Sequence, residues 1–100
     1  MPKISLTLHP ALGRMVRVEG CSARPLLLTP LEAQTVARAL EAVRQGRSSE
    51  REISLCPIGS DDFFQAEVGP DGIQCGPTFV PWTGVEPLAA QLLSAAGLGA

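Results

Sequence analysis

The chain contains no tyrosine, one tryptophan, three phenylalanines and a single histidine among its 100 residues. With so few rings, any core must be filled by Leu, Val, Ile and Ala. Lysine is nearly absent: Lys3 stands alone beside seven arginines, and no Lys or Arg follows Arg51. Cys21, Cys56 and Cys75 are odd in number and widely spaced, so they form neither a disulfide framework nor a C-x-x-C metal anchor. Met1-Pro2-Lys3 opens an alternating segment rather than a secretory leader, and no apolar run approaches the ~20 residues of a membrane span. A reducing cytoplasm is the expected home, with no membrane partner. No glycine loop precedes a Lys-Ser/Thr pair, and no serine sits in a nucleophile elbow.

What is present suits one ordinary domain over residues 1–100, with 45% hydrophobic and 18% charged residues. Abundant Arg, Ala, Gly and Pro point to a GC-rich bacterial or phage genome. Charge is split along the chain. Residues 1–52 hold every basic residue and are net positive, whereas residues 53–100 carry Asp61, Asp62, Glu67, Asp71 and Glu86 with no cation. Such a split marks a nucleic-acid side, a partner side, or two halves that attract each other.

The chain is organised around Arg24–Leu40. Pro25 to Leu28 reads as a short strand running directly into a helix. Thr29 is its N-cap, Pro30 its first residue, and Glu32 completes a capping box. Ala33, Val36, Ala37, Leu40 and Val43 form its apolar stripe, and Gly46 stops it. Before it, Lys3–His9 and Arg14–Glu19 alternate as strands, with Val16 and Val18 inward and Arg17 and Glu19 outward. After it, Glu52–Cys56, Phe64–Val68, Ile73–Cys75 and Pro77–Val80 read as strands. Gly69-Pro70-Asp71-Gly72 is a turn, and a second helix is expected to start at a Thr83–Glu86 capping box or at Pro87.

A constant shift pairs Val16 with Val68, Gly20 with Gly72, Pro25 with Pro77, Ala33 with Val85, Val36 with Leu88, Ala37 with Ala89 and Leu40 with Leu92. The capping threonines need a shift two residues longer. The expected fold is therefore α+β: a single antiparallel sheet of about six strands, with two helices packed on one face. A βββα unit used twice, over 1–48 and 53–97, would generate it.

Chemistry-bearing groups are sparse. His9 ends a strand, no motif surrounds a cysteine, and Asp61-Asp62 lacks the spacing of a calcium loop. No catalytic residue, metal site or cofactor is assigned, and an enzyme is not expected. Phe63 is out of phase with Phe64, so one ring points away from the core; Trp82 is either a staple or an exposed anchor. With Asp61 and Asp62 these residues are the candidate partner-binding surface, for another protein or in a homodimer. A small acidic chain without catalytic groups suits a phage or mobile-element accessory protein that inhibits or regulates a host partner by covering its surface. The alternative is a nucleic-acid-binding or regulatory module using Arg14, Arg17, Arg24, Arg38 and Arg44. Tandem strands-then-helix units resemble, in element order alone, the Whirly/PUR class of single-stranded nucleic-acid binders, which implies the same use. The overall acidity, and the placing of the stacking aromatics in the acidic half, argue against it. The two readings differ in one respect: the alternative needs Arg17, Arg24, Arg38 and Arg44 on one surface, the first needs exposed apolar residues around Phe63 and Trp82.

Overall fold

The computed structural model describes residues 1–97. Seven strands and two helices follow in the order β1 (Lys3–His9), β2 (Gly13–Glu19), β3 (Leu26–Leu28), α1 (Pro30–Arg44), β4 (Glu52–Leu55), β5 (Phe64–Val68), β6 (Gly72–Cys75), β7 (Thr78–Pro81) and α2 (Trp82–Ala95). The class is α+β, but the strands form two antiparallel sheets, β1-β2-β3 and β4-β5-β6-β7, rather than one sheet of about six.

The reason for the division lies at β3. This strand is three residues long, and Ser60 occupies its outer edge: Ser60 Oγ accepts the Leu27 N–H at 2.7 Å and lies 3.5 Å from the Leu27 carbonyl. A fourth strand cannot add where a side chain already satisfies the backbone. The second sheet instead forms from four consecutive strands paired as a meander.

α1 is built as its sequence specifies. The Glu32 N–H donates to Thr29 Oγ1 at 3.1 Å and the Thr29 N–H donates to Glu32 Oε1 at 2.8 Å, with Pro30 at the first helical position. At the other end Gly46 adopts φ +73°, and the Arg47 N–H reaches the Ala42 carbonyl at 2.9 Å while the Gly46 N–H reaches Val43 at 3.2 Å. These two bonds are a Schellman closure. α2 departs from expectation. It starts at Trp82 with Pro81 as N-cap, no side chain caps it, and Pro87 lies inside it. The Trp82 N–H is satisfied instead by the Asp71 carbonyl at 3.3 Å, so the β5–β6 turn does the work of the missing capping box.

α1 packs chiefly on α2, and each helix reaches both sheets: α1 touches β2, β3 and β4, and α2 touches β1, β6 and β7. Ala33, Val36, Ala37 and Leu40 of α1 and Val85, Leu88, Ala89 and Leu92 of α2 are buried in one continuous core. These are the residues that the constant shift pairs. The shift fails in the hairpins. The register aligns Leu6-Val16-Leu28 across the first sheet and Val68-Ile73-Val80 across the second. By that alignment Val16 matches Ile73 rather than Val68, and Gly20 does not match Gly72. The strand order β1-β2-β3-α1 is matched by β5-β6-β7-α2, with β4 added outside β5. Among the described residues no helix is long and apolar enough to cross a membrane.

Candidate functional site

Register places Met15 on the side of the first sheet that faces away from the helices, together with Arg17 and Leu27. Met15 is nonetheless completely buried. It is covered by the β4–β5 connection, residues 56–63, which runs beside β3 as a strap. The strap is tied at three points. The Ile58 N–H donates to Glu32 Oε2 at 3.2 Å, Ser60 holds Leu27, and Asp62 Oδ2 lies 3.5 Å from Arg24 Nε. Gly59 passes so close to Met15 that a Cβ there would sit 2.8 Å from the methionine methyl. Asp62 Oδ2 is withdrawn from water, and the Arg24 guanidinium is the charge that faces it.

The strap holds apolar side chains outward. Phe63 is 51% exposed and Ile58 71% exposed, although both belong to a segment whose backbone is anchored. Phe64, the next residue, points into the core and is 2% exposed. Phe63 borders a groove of about 290 Å³ with Cys21, Ala23, Asp62 and Pro77. Asp61 is exposed and lines a second groove with Arg24 and Ser60, and Asp62 borders both. Asp62 thus joins Phe63 and Asp61 in one stretch of surface. Trp82 does not belong to it. Its indole N–H donates to the Pro70 carbonyl at 3.0 Å, and the ring packs half-buried against the core. Trp82 follows Pro81, which pairs with Gly72, whereas Phe63 lies by the Gly76-Pro77 turn at the opposite end of β6 and β7. Trp82 is the staple. Ile58 is the surface residue that sequence reasoning passed over; an isolated isoleucine between Pro57 and Gly59 in a turn segment was the available signal.

The arginines do not converge. Arg17 lies on the outer face of the first sheet and bonds Glu19 at 2.8 Å. Arg38 and Arg44 are on α1, in the helix layer. Arg44 bonds Glu41 at 2.8 Å and approaches Glu86 of α2 at 3.7 Å, and the hydrogen bonds it donates to Glu41 hold its guanidinium above the usual range. Arg14 reaches the Ala95 carbonyl at the C-terminal end of α2 at 3.3 Å, a placement that suits a cation. Arg24 faces Asp62. The outer face of the second sheet carries Glu52 directly opposite Glu67, with Gln65 and Gln74 beside them, which repels rather than attracts phosphate.

His9 is occupied structurally: its Nδ1 accepts the Ala11 and Leu12 N–H groups at 3.0 and 3.1 Å and closes the β1–β2 turn. Cys21 and Cys75 are buried neighbours, and Cys56 is exposed. The hydrogen bond between Cys21 and Cys75, reinforced by burial, pushes the Cys21 thiol far up, while the same bond holds Cys75 down against burial. An aromatic disulfide reagent at pH 8 is therefore expected to titrate one thiol, Cys56, in the folded protein and all three in denaturant; three fast thiols would contradict the burial of the pair. Among the described residues no three His, Cys, Asp or Glu side chains converge as metal ligands.

Comparison with known proteins adds nothing to this geometry. No family model, curated protein or solved structure matches the chain.

Proposed function

We propose that this chain is a small non-catalytic protein-interaction module, of the accessory kind encoded by phages and mobile elements, acting in the cytoplasm on a partner whose surface it covers. The observation that carries this reading is the strap 56–63. It is tied through its Ile58 N–H to Glu32, through the Ser60 hydroxyl to Leu27 and through Asp62 to Arg24, yet Ile58 and Phe63 face solvent. A pre-ordered loop that displays apolar side chains binds at a smaller ordering cost, and buried aromatic anchors dominate interface energies. Asp61 is exposed on the same strap, whereas Asp62 faces Arg24 and Glu32 holds the Thr29 and Ile58 N–H groups, so the partner surface that fits is chiefly apolar, with a cation placed to meet Asp61. Self-association into a homodimer belongs to the same reading.

The nucleic-acid alternative is separated by a salt titration of binding to single- and double-stranded oligonucleotides. The proposal expects no binding near physiological salt. Affinity that falls about 10³-fold or more between 50 and 200 mM salt would mean that several phosphates are neutralised, and would replace this reading with the arginine-based one.

A further inference from the structure

Four strand edges are left by the two sheets, and three of them are blunted. The β3 edge is occupied by Ser60. β4 is four residues long and begins with exposed Glu52, and β7 is four residues long, ends in Pro81 and bonds the Gly20 carbonyl through Thr78 Oγ1 at 2.6 Å. Short length, charge and proline are the devices by which edges avoid pairing. β1 has the least of them: neither short length nor a proline, and only a terminal charge. It runs for seven residues, its one charge is Lys3 at its start, and its outer edge has no partner among the described residues.

The second sheet shows what such an edge accepts. β5 corresponds in register to β1, and its outer edge is covered by β4, which sets Ile53 against Ala66 and Leu55 against Phe64 and is itself packed by α1. On β1 the equivalent position is open. Leu6 is 52% and Leu8 81% exposed on the side that faces the helices. A groove of about 310 Å³ runs there between Ile4 and Leu6 on β1 and Gln91, Ser94 and Ala95 on α2.

We infer that a second copy of this chain occupies this edge, pairing β1 with β1 antiparallel about a twofold axis through Leu6. This gives the homodimer of the proposed function its strand and register. Leu6 is the midpoint of Lys3–His9, so only this axis engages the whole strand. It sets Leu6 against Leu6, Ile4 against the partner's Leu8, and Ser5 against the partner's Thr7. Every apolar residue then falls on the helix side and every polar one on the other, as a pleated pair demands. Lys3 meets the partner's His9, so no like charges oppose. The partner's Leu8, opposite Ile4, falls at the groove beside α2. The product is a continuous sheet ordered β3-β2-β1-β1-β2-β3, an isologous contact that closes on itself.

The test is the solution mass over a concentration series from micromolar to sub-millimolar, by sedimentation or light scattering. The wild-type chain is expected to move from 10.5 kDa towards twice that mass. Leu6→Glu and Leu6→Lys each place like charges face to face on the axis and are expected to weaken self-association about tenfold or more. An equal mixture of the two restores the dimer, because opposite charges then meet. Leu8→Glu alters a side chain that contributes little to the monomer and is expected to weaken the dimer as well, which keeps the test decisive if a Leu6 variant folds poorly. A wild-type monomer at every concentration, a dimer indifferent to Leu8→Glu, or a mixture of folded Leu6 variants that stays monomeric overturns the inference. None of these outcomes touches the strap, whose role is read separately from Phe63 and Ile58 variants.

Discussion

Gly72→Ala is expected to destabilise the protein by about 3 kcal/mol or more, lowering the melting temperature by roughly 12 °C or more for a chain of this size. A Cβ at Gly72 would lie 2.2 Å from the Val80 carbonyl oxygen and 2.7 Å from the Pro81 Cα, both backbone atoms of the paired strand. The backbone there, at φ +155°, is one that side-chain-bearing residues rarely adopt. β7 cannot step aside. Val80 is fully buried, and the residue after Pro81 is Trp82, tied to the β5–β6 turn by its indole and its backbone N–H. Gly13→Ala is the control. Gly13 also has a positive φ, +79°, but nothing lies within 4 Å of its Cβ position, so only the conformational cost of about 1 kcal/mol applies. Urea denaturation of the two variants separates them; equal midpoints would show that the β6–β7 contact yields more readily than its geometry implies.

Phe64→Ala and Phe63→Ala are expected to differ sharply although the residues are adjacent. Phe64 is the largest fully buried side chain, on the core face of β5, and its truncation should cost about 3–5 kcal/mol. Phe63 is half exposed, one residue out of phase, and its truncation should change stability by less than about 1 kcal/mol. Denaturant midpoints of the two variants check this. A large loss for Phe63→Ala would mean that its ring holds the strap down rather than being held out by it.

Much of the fold is legible in the residues because it is specified locally. The Thr29-Pro30-Glu32 start and the Gly46 stop of α1 need no distant partner, and all seven strand segments show their period-2 alternation or turn boundaries in the chain itself. The division into two sheets is not legible. It depends on Ser60 taking the edge of Leu27, residues 33 positions apart, and nothing in the sequence of either announces the bond. The burial of Met15 on the nominally wet face follows from the same strap. Trp82 misleads for a related reason: α2 draws its cap from the Asp71 carbonyl, so the Thr83–Glu86 pattern, which looks like a capping box, is left unused inside the helix. Of the candidate surface, Phe63, Asp61 and Asp62 were recoverable from phase and charge, whereas Ile58 needed the path of the strap. The arginines share a half of the sequence but not a face, because strand alternation sends Arg17 away from the helices while Arg38 and Arg44 ride on α1.

The measurement that bears most directly on the strap as the partner surface is comparative affinity capture from a GC-rich bacterial lysate, with the wild-type chain and the Ile58→Ser, Phe63→Ser double variant as baits at equal, verified fold. The account predicts a protein partner held by the wild type and reduced about thirtyfold or more by the double variant, the loss expected when anchors worth about 2 kcal/mol are removed from an interface. A partner captured equally by both baits would place the interaction elsewhere on the molecule and contradict the account.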